Sequence, residues 1–155
     1  MRAIRAAHRL GRALLPVMWV ACESPTEQRE EALAPARARW QAAGLTDYDF
    51  DLRRLCYCLD EAVRPVTVSV RAGAFASIVY ADDGTAADTA LFHDFLTMDG
   101  VFHYVERAVS RRPAVFTATY DSRLGYPEQV QLDGDRQIAD DEVSLEVPAL
   151  RPVTR

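Results

Sequence analysis

From Asp47 the chain alternates polar and apolar positions. Tyr48, Phe50 and Leu52 fall on one face of a strand, and Asp47, Asp49 and Asp51 on the other. The same parity carries Cys56 and Cys58 onto the buried face with the aromatics. Arg54 breaks the inward pattern, so a bulge is expected near Arg53-Arg54. Three Asp residues in a row on a strand face suit solvent and discourage edge pairing better than they suit one cation.

The rest of the chain reads in the same way. Glu27 to Ala43 is helical in composition, with Leu33, Ala36 and Trp40 on one face and Pro35 as a break or the start of a second helix. Leu59 to Arg64 reads as a connection. Pro65 to Arg71 is a strand with Val66, Val68 and Val70 inward, and Ala72-Gly73 is a tight turn into a partner strand over 74–80. A long loop follows, whose Leu91, Phe92, Phe95 and Leu96 suggest a short helical turn. Thr97 is an N-cap, and Val101, Phe102, Val105, Ala108 and Val109 recur at helical spacing. His103, Glu106, Arg107 and Ser110 point away, and Pro113 stops the helix.

Ala114 to Tyr120, Glu128 to Asp133 and Val143 to Val147 alternate as three further strands, the last closed by Pro148. Helix, three strands, helix, three strands implies α+β: an antiparallel sheet of about five to six strands with two main helices packed on one face.

Composition narrows this picture. The chain has 155 residues, 49% hydrophobic and 26% charged, enough for one domain with its own core. The first 21 residues hold Arg2, Arg5, Arg9 and Arg12 and no acid, so without them the formal charge falls from −5 to −9. A body so acidic repels phosphate backbones, and nucleic-acid binding is not expected.

Residues 1–21 read as an export signal: the basic run leads into a short apolar stretch, Ala13 to Ala21, and then Cys22. Ala21-Cys22 resembles the lipobox of bacterial lipoproteins, in which cleavage precedes a cysteine that becomes lipidated. Trp19 departs from that pattern, where Leu is usual. The competing readings are a plain secretory signal and an amphipathic cytosolic helix. Residues 22–30 are expected to be a flexible tether, and 31–150 a single domain. A lipid on Cys22 would make the membrane a partner.

Three constellations could carry chemistry. Cys56 and Cys58 are an even pair once Cys22 is lipidated, and a structural disulfide is the reading chosen. Residues i and i+2 of an extended strand lie about 6.5–7 Å apart, at the limit for a bridge, so a kink is required. Two buried thiols, a redox pair, or a metal site with His93 and His103 are the alternatives. The second constellation is the acidic loop, Asp133, Asp135, Asp140, Asp141 and Glu142, either a solvated surface or a cation site. The third is Tyr120, Asp121 and Tyr126 with Gly125 and Pro127: turn chemistry, or an aromatic lip for a ligand. Nucleophile-elbow, phosphate-loop, dinucleotide and metalloprotease motifs are missing, so no cofactor and no catalytic residue is expected.

Taken together, Trp40, Tyr48-Asp-Phe50, Cys56-Tyr-Cys58, Val66 to Val70, Met98-Asp-Gly-Val-Phe102, Tyr120-Asp121, Gly125-Tyr-Pro127 and Asp140-Asp-Glu142 resemble an uncharacterised bacterial family of exported domains, many with lipoprotein signals. The resemblance implies domain extent and export and supplies no catalytic residue. The function expected is a membrane-anchored binding module of the cell envelope with an envelope protein as its candidate partner, and with thiol-redox or cation-binding roles as alternatives.

Overall fold

The alternation at Tyr48, Phe50 and Leu52 builds a central strand of the molecule. In the computed structural model, which describes residues 25–154, this strand, β1, spans Tyr48–Leu55, and all three side chains are buried. Around it lie α1 (Pro25–Ala43), the single-turn α2 (Asp60–Val63), β2 (Val66–Arg71), β3 (Ala74–Tyr80) and a 3-10 segment (Thr89–Phe95). Then come α3 (Met98–Ser110), β4 (Val115–Tyr120), β5 (Pro127–Asp133) and β6 (Val143–Pro152). The proposed signal, residues 1–21, and Cys22 lie outside the described residues.

The strands form one antiparallel sheet in the order β3-β2-β1-β6-β5-β4. Two meanders, β1–β3 and β4–β6, are thus joined along the β1–β6 seam. The protein is α+β, as the alternation of elements implied. Ala72 and Gly73 both take positive φ, 52° and 76°, which matches the twist of the β2–β3 hairpin.

One hydrophobic cluster joins the inward residues of the sheet to Leu33 and Trp40 of α1, Phe92 and Phe95 of the 3-10 segment, and Val101, Phe102 and Val105 of α3. Trp40 meets Tyr48 edge to face at 5.3 Å. The Tyr48 hydroxyl accepts the Met98 N–H at 3.1 Å, and Thr97 Oγ1 accepts the Gly100 N–H at 3.0 Å, so two orphan donors at the start of α3 are satisfied. Arg37 of α1 lies 4.7 Å from the centre of the Phe102 ring and pairs with Asp99 at 2.7 Å.

Several local expectations change. α1 runs through Pro35 without a break. Ala36 is fully buried and Trp40 nearly so, and that packing outweighs the hydrogen bond lost at proline. The helix begins at Pro25, inside the 22–30 segment read as a flexible tether. Residues 59–64 are not a plain connection but contain α2.

Pro148 does not close the last strand: β6 continues to Pro152. Asp51 pairs with Ala149 but Arg53 with Glu146, so Val147 and Pro148 together face Leu52. The extra residue of the bulge therefore sits in β6, where Pro148 has no N–H to give the ladder, and not at Arg53-Arg54. Beyond the bulge, Arg151 grips Asp51 with two hydrogen bonds of 2.7 Å. Arg54 keeps the inward parity of β1. Its guanidinium lies 5.6 and 5.5 Å from the Phe92 and Phe95 ring centres and donates to the Leu91 carbonyl at 3.0 Å.

Candidate functional site

β1 ends at Leu55, and the chain bends at once. The Cys58 N–H donates to the Cys56 carbonyl at 2.9 Å, which draws the two Cα atoms to 5.3 Å, and the cysteines are disulfide-bonded. The bend supplies the kink that an extended strand would have denied the bridge. It also ends the parity of β1: Cys56 is half-buried and Cys58 exposed, rather than both inward. The turn lifts its residues out of the core, leaving Leu55 38%, Tyr57 82% and Leu59 66% exposed.

Closing so short a loop removes little chain entropy. The bridge is expected to contribute about 2 kcal/mol or less, against about 3 kcal/mol for a loop of 15 residues. Thermal unfolding of the Cys56→Ser/Cys58→Ser double variant should show a small drop in Tm with the native circular dichroism intact. A collapse of the fold would contradict this.

The acidic loop between β5 and β6 lies at the same end of the sheet. Between it and the cysteine turn is a groove of about 540 Å³. Leu55, Val115, Leu132 and Val143 supply apolar walls, Gln131 and Ser144 polar ones, and Cys56 and Tyr57 one rim. Asp133, Asp140 and Glu142 also line it, and none of the described residues that line it is basic. A second hollow of about 370 Å³ shares Leu132 and Val143, but there Asp94 is already paired with Arg107 at 2.6 Å.

The five acids of the loop do not converge on a point. Asp141 accepts the Asp135 N–H at 2.9 Å, and Asp135 accepts the Gln137 N–H at 3.0 Å, so these carboxylates hold the loop together. Among the described residues no three of the His, Cys, Asp and Glu side chains come together to hold a metal ion. The cation site on Asp133, Asp135, Asp140, Asp141 and Glu142 is therefore not assembled, and neither is a site uniting the cysteines with His93 and His103. His103 instead faces Glu106 at 3.1 Å on the exposed side of α3. Partial burial, with the charges of Asp141 and Glu142, holds the Asp133 carboxyl above the usual carboxylate range, and its Oδ1 has no hydrogen-bond partner among the described residues.

Tyr120, Asp121 and Tyr126 sit at the β4–β5 turn. Asp121 Oδ1 accepts the Arg123 N–H at 3.0 Å and also the Leu124 N–H, and its own N–H donates to the Tyr126 carbonyl at 2.9 Å. This is turn chemistry. Tyr126 is buried and Tyr120 half-buried against the core, so no aromatic lip forms. The hairpin packs on α1 instead. The groove itself was not visible in the sequence, because its walls come from residues 55–57, 115, 131–133 and 140–144. The signal the sequence did hold was Tyr57, an aromatic at a position that the parity of Cys56 and Cys58 turns outward.

No curated protein and no solved structure matches the chain. A family model does, over residues 32–152, which takes in every strand, α2, α3, the cysteine turn and the acidic loop, and most of α1. The chain belongs to the family of unknown function DUF6174.

Proposed function

We propose that this protein is a non-enzymatic binding module of the cell envelope, anchored through a lipid on Cys22, which meets its partner with the disulfide-bearing end of the sheet. In this reading both main helices cover one face of the sheet, and the cysteine turn and acidic loop project from its end. One observation carries the choice of surface. The large apolar side chains exposed among the described residues are Leu55, Tyr57, Leu59, Phe75 and Ile138, the last 55% exposed. All but Phe75 belong to the two segments that border the groove. Exposed apolar groups gathered on one patch mark interaction sites, whereas scattered ones do not.

Support for the location comes from the basic-then-apolar run before Cys22 and from the disulfide, which persists in oxidising compartments. A thiol-exchange role is disfavoured by the groove, because Asp133, Asp140 and Glu142 beside Cys56 oppose the thiolate that such chemistry needs.

Growth in radioactive palmitate tests the anchor: the wild type should be labelled and Cys22→Ala should not. Label in neither protein would refute lipidation. A photo-crosslinking residue placed at position 57 in cells should give a discrete adduct that the same residue at position 75 does not. Equal adducts at both positions would refute the surface.

A further inference from the structure

We infer that the groove between the Cys56–Cys58 turn and the acidic loop binds a small organic cation: an ammonium or guanidinium group carried on an apolar body. The inference rests on reading this end of the sheet as the binding surface and adds the chemistry of what it holds. Its volume, about 540 Å³, lies within the range of small-molecule sites. Leu55, Val115 and Val143 offer apolar surface to a hydrocarbon body. Asp133, Asp140 and Glu142 bring negative charge, and among the described residues that line the groove none is basic; Arg136 of the same loop opposes the acids at Asp133, behind Asp141 and Glu142 in effect. Two acids of β1, by contrast, are paired: Asp51 with Arg151 and Asp49 with Arg71.

The arrangement also excludes other ligands. An anion would meet three carboxylates. A bare divalent ion needs several oxygens within about 2.6 Å, and these carboxylates are not gathered to provide them. An organic cation tolerates diffuse negative charge and uses the apolar walls as well. Tyr57 lines the groove and is largely exposed, so its ring is available to a cation. The bridge fixes the turn that carries this ring, so little order has to be imposed on binding. Asp133 Oδ1, without a donor among the described residues, gains one from an ammonium group.

The test is an NMR titration of the full chain with phenethylammonium, hydrocinnamate and hydrocinnamyl alcohol, which share one apolar body and differ in charge. Phenethylammonium should shift the amides of Tyr57, Gln131 and Ser144 and bind about tenfold or more tighter than hydrocinnamate. Asp133→Asn and Glu142→Gln should each weaken it about threefold. Tyr57→Ala, at an exposed position that leaves folding untouched, should weaken it as well. Equal binding of all three probes would overturn the inference and leave the binding surface standing. No shift at these amides with any probe would leave the binding surface to stand or fall on the crosslink at position 57, and would likewise overturn the inference. Binding of an arginine-containing peptide but not of phenethylammonium would also overturn it, in favour of a partner segment.

Discussion

Gly125→Ala should unseat α1 from the sheet. Gly125 holds φ at +83°, and a methyl group built there overlaps the Ala36 carbonyl oxygen and lies 2.9 Å from the Arg39 Cβ. The left-handed conformation costs about 1–2 kcal/mol with a side chain. Pushing a methyl group into helix backbone adds about 1–3 kcal/mol, because the helix can yield only by moving as a body. Urea denaturation should therefore show a loss of about 3 kcal/mol or more. Trypsin should cut after Arg37 and Arg39, which α1 packing otherwise protects. Gly73→Ala is the control. Its φ is +76°, but nothing lies within 4 Å of the added methyl, so only the conformational cost remains. Equal effects from the two substitutions would show that α1 does not rest on the hairpin.

Tyr48→Ala should cost about 3–5 kcal/mol, the range for emptying a large buried aromatic site. Tyr48 touches Trp40 of α1 and Phe50 of its own strand, and its hydroxyl reaches the first turn of α3. Tyr48→Phe keeps the ring and leaves the Met98 N–H without an acceptor, at about 1–3 kcal/mol. The same hydroxyl makes stability depend on alkaline pH. Burial pushes its pKa up to about 12; the Met98 hydrogen bond opposes this and the Asp99 charge adds to it. Burial also pushes Tyr120 up to about 12.

A phenol with a higher pKa folded than unfolded holds its proton more tightly in the fold. That contribution is whole below the unfolded value of about 10 and is lost as pH rises toward the folded value. The wild type should lose stability between about pH 10 and pH 12, and Tyr48→Phe should lose less over the same window. Identical pH profiles for the two proteins would show that Tyr48 ionises freely.

How far the sequence carried this structure depends on the element. Tyr48, Phe50 and Leu52 were legible because strand parity is local, and so were the Thr97 cap and the Ala72-Gly73 turn. Pro148 was misleading. A proline forbids one ladder hydrogen bond, and a bulge in β6 opposite Leu52 absorbs that loss, which no reading of β6 alone reveals. Arg54 was read as breaking the inward pattern, yet it keeps that parity, and the nearby register shift, between Asp51 and Arg53, comes from the extra residue in β6. Phe92 and Phe95, about forty positions further along, turn a charged inward residue into a packed one.

The sequence by itself determined the α+β class, the inward faces of β1 up to Leu52 and of β2, and the turn at Asp121 to Pro127. These follow from periodicity and backbone preference, both of which act over a few neighbours. Only the tertiary structure decided that β1 and β6 join the two meanders, that Gly125 of the β4–β5 turn lies against Ala36 of α1, and that the cysteine turn faces the acidic loop. Pairing between distant strands is chosen by the free energy of burying whole faces together, and a local pattern tells which face is apolar without telling what will cover it.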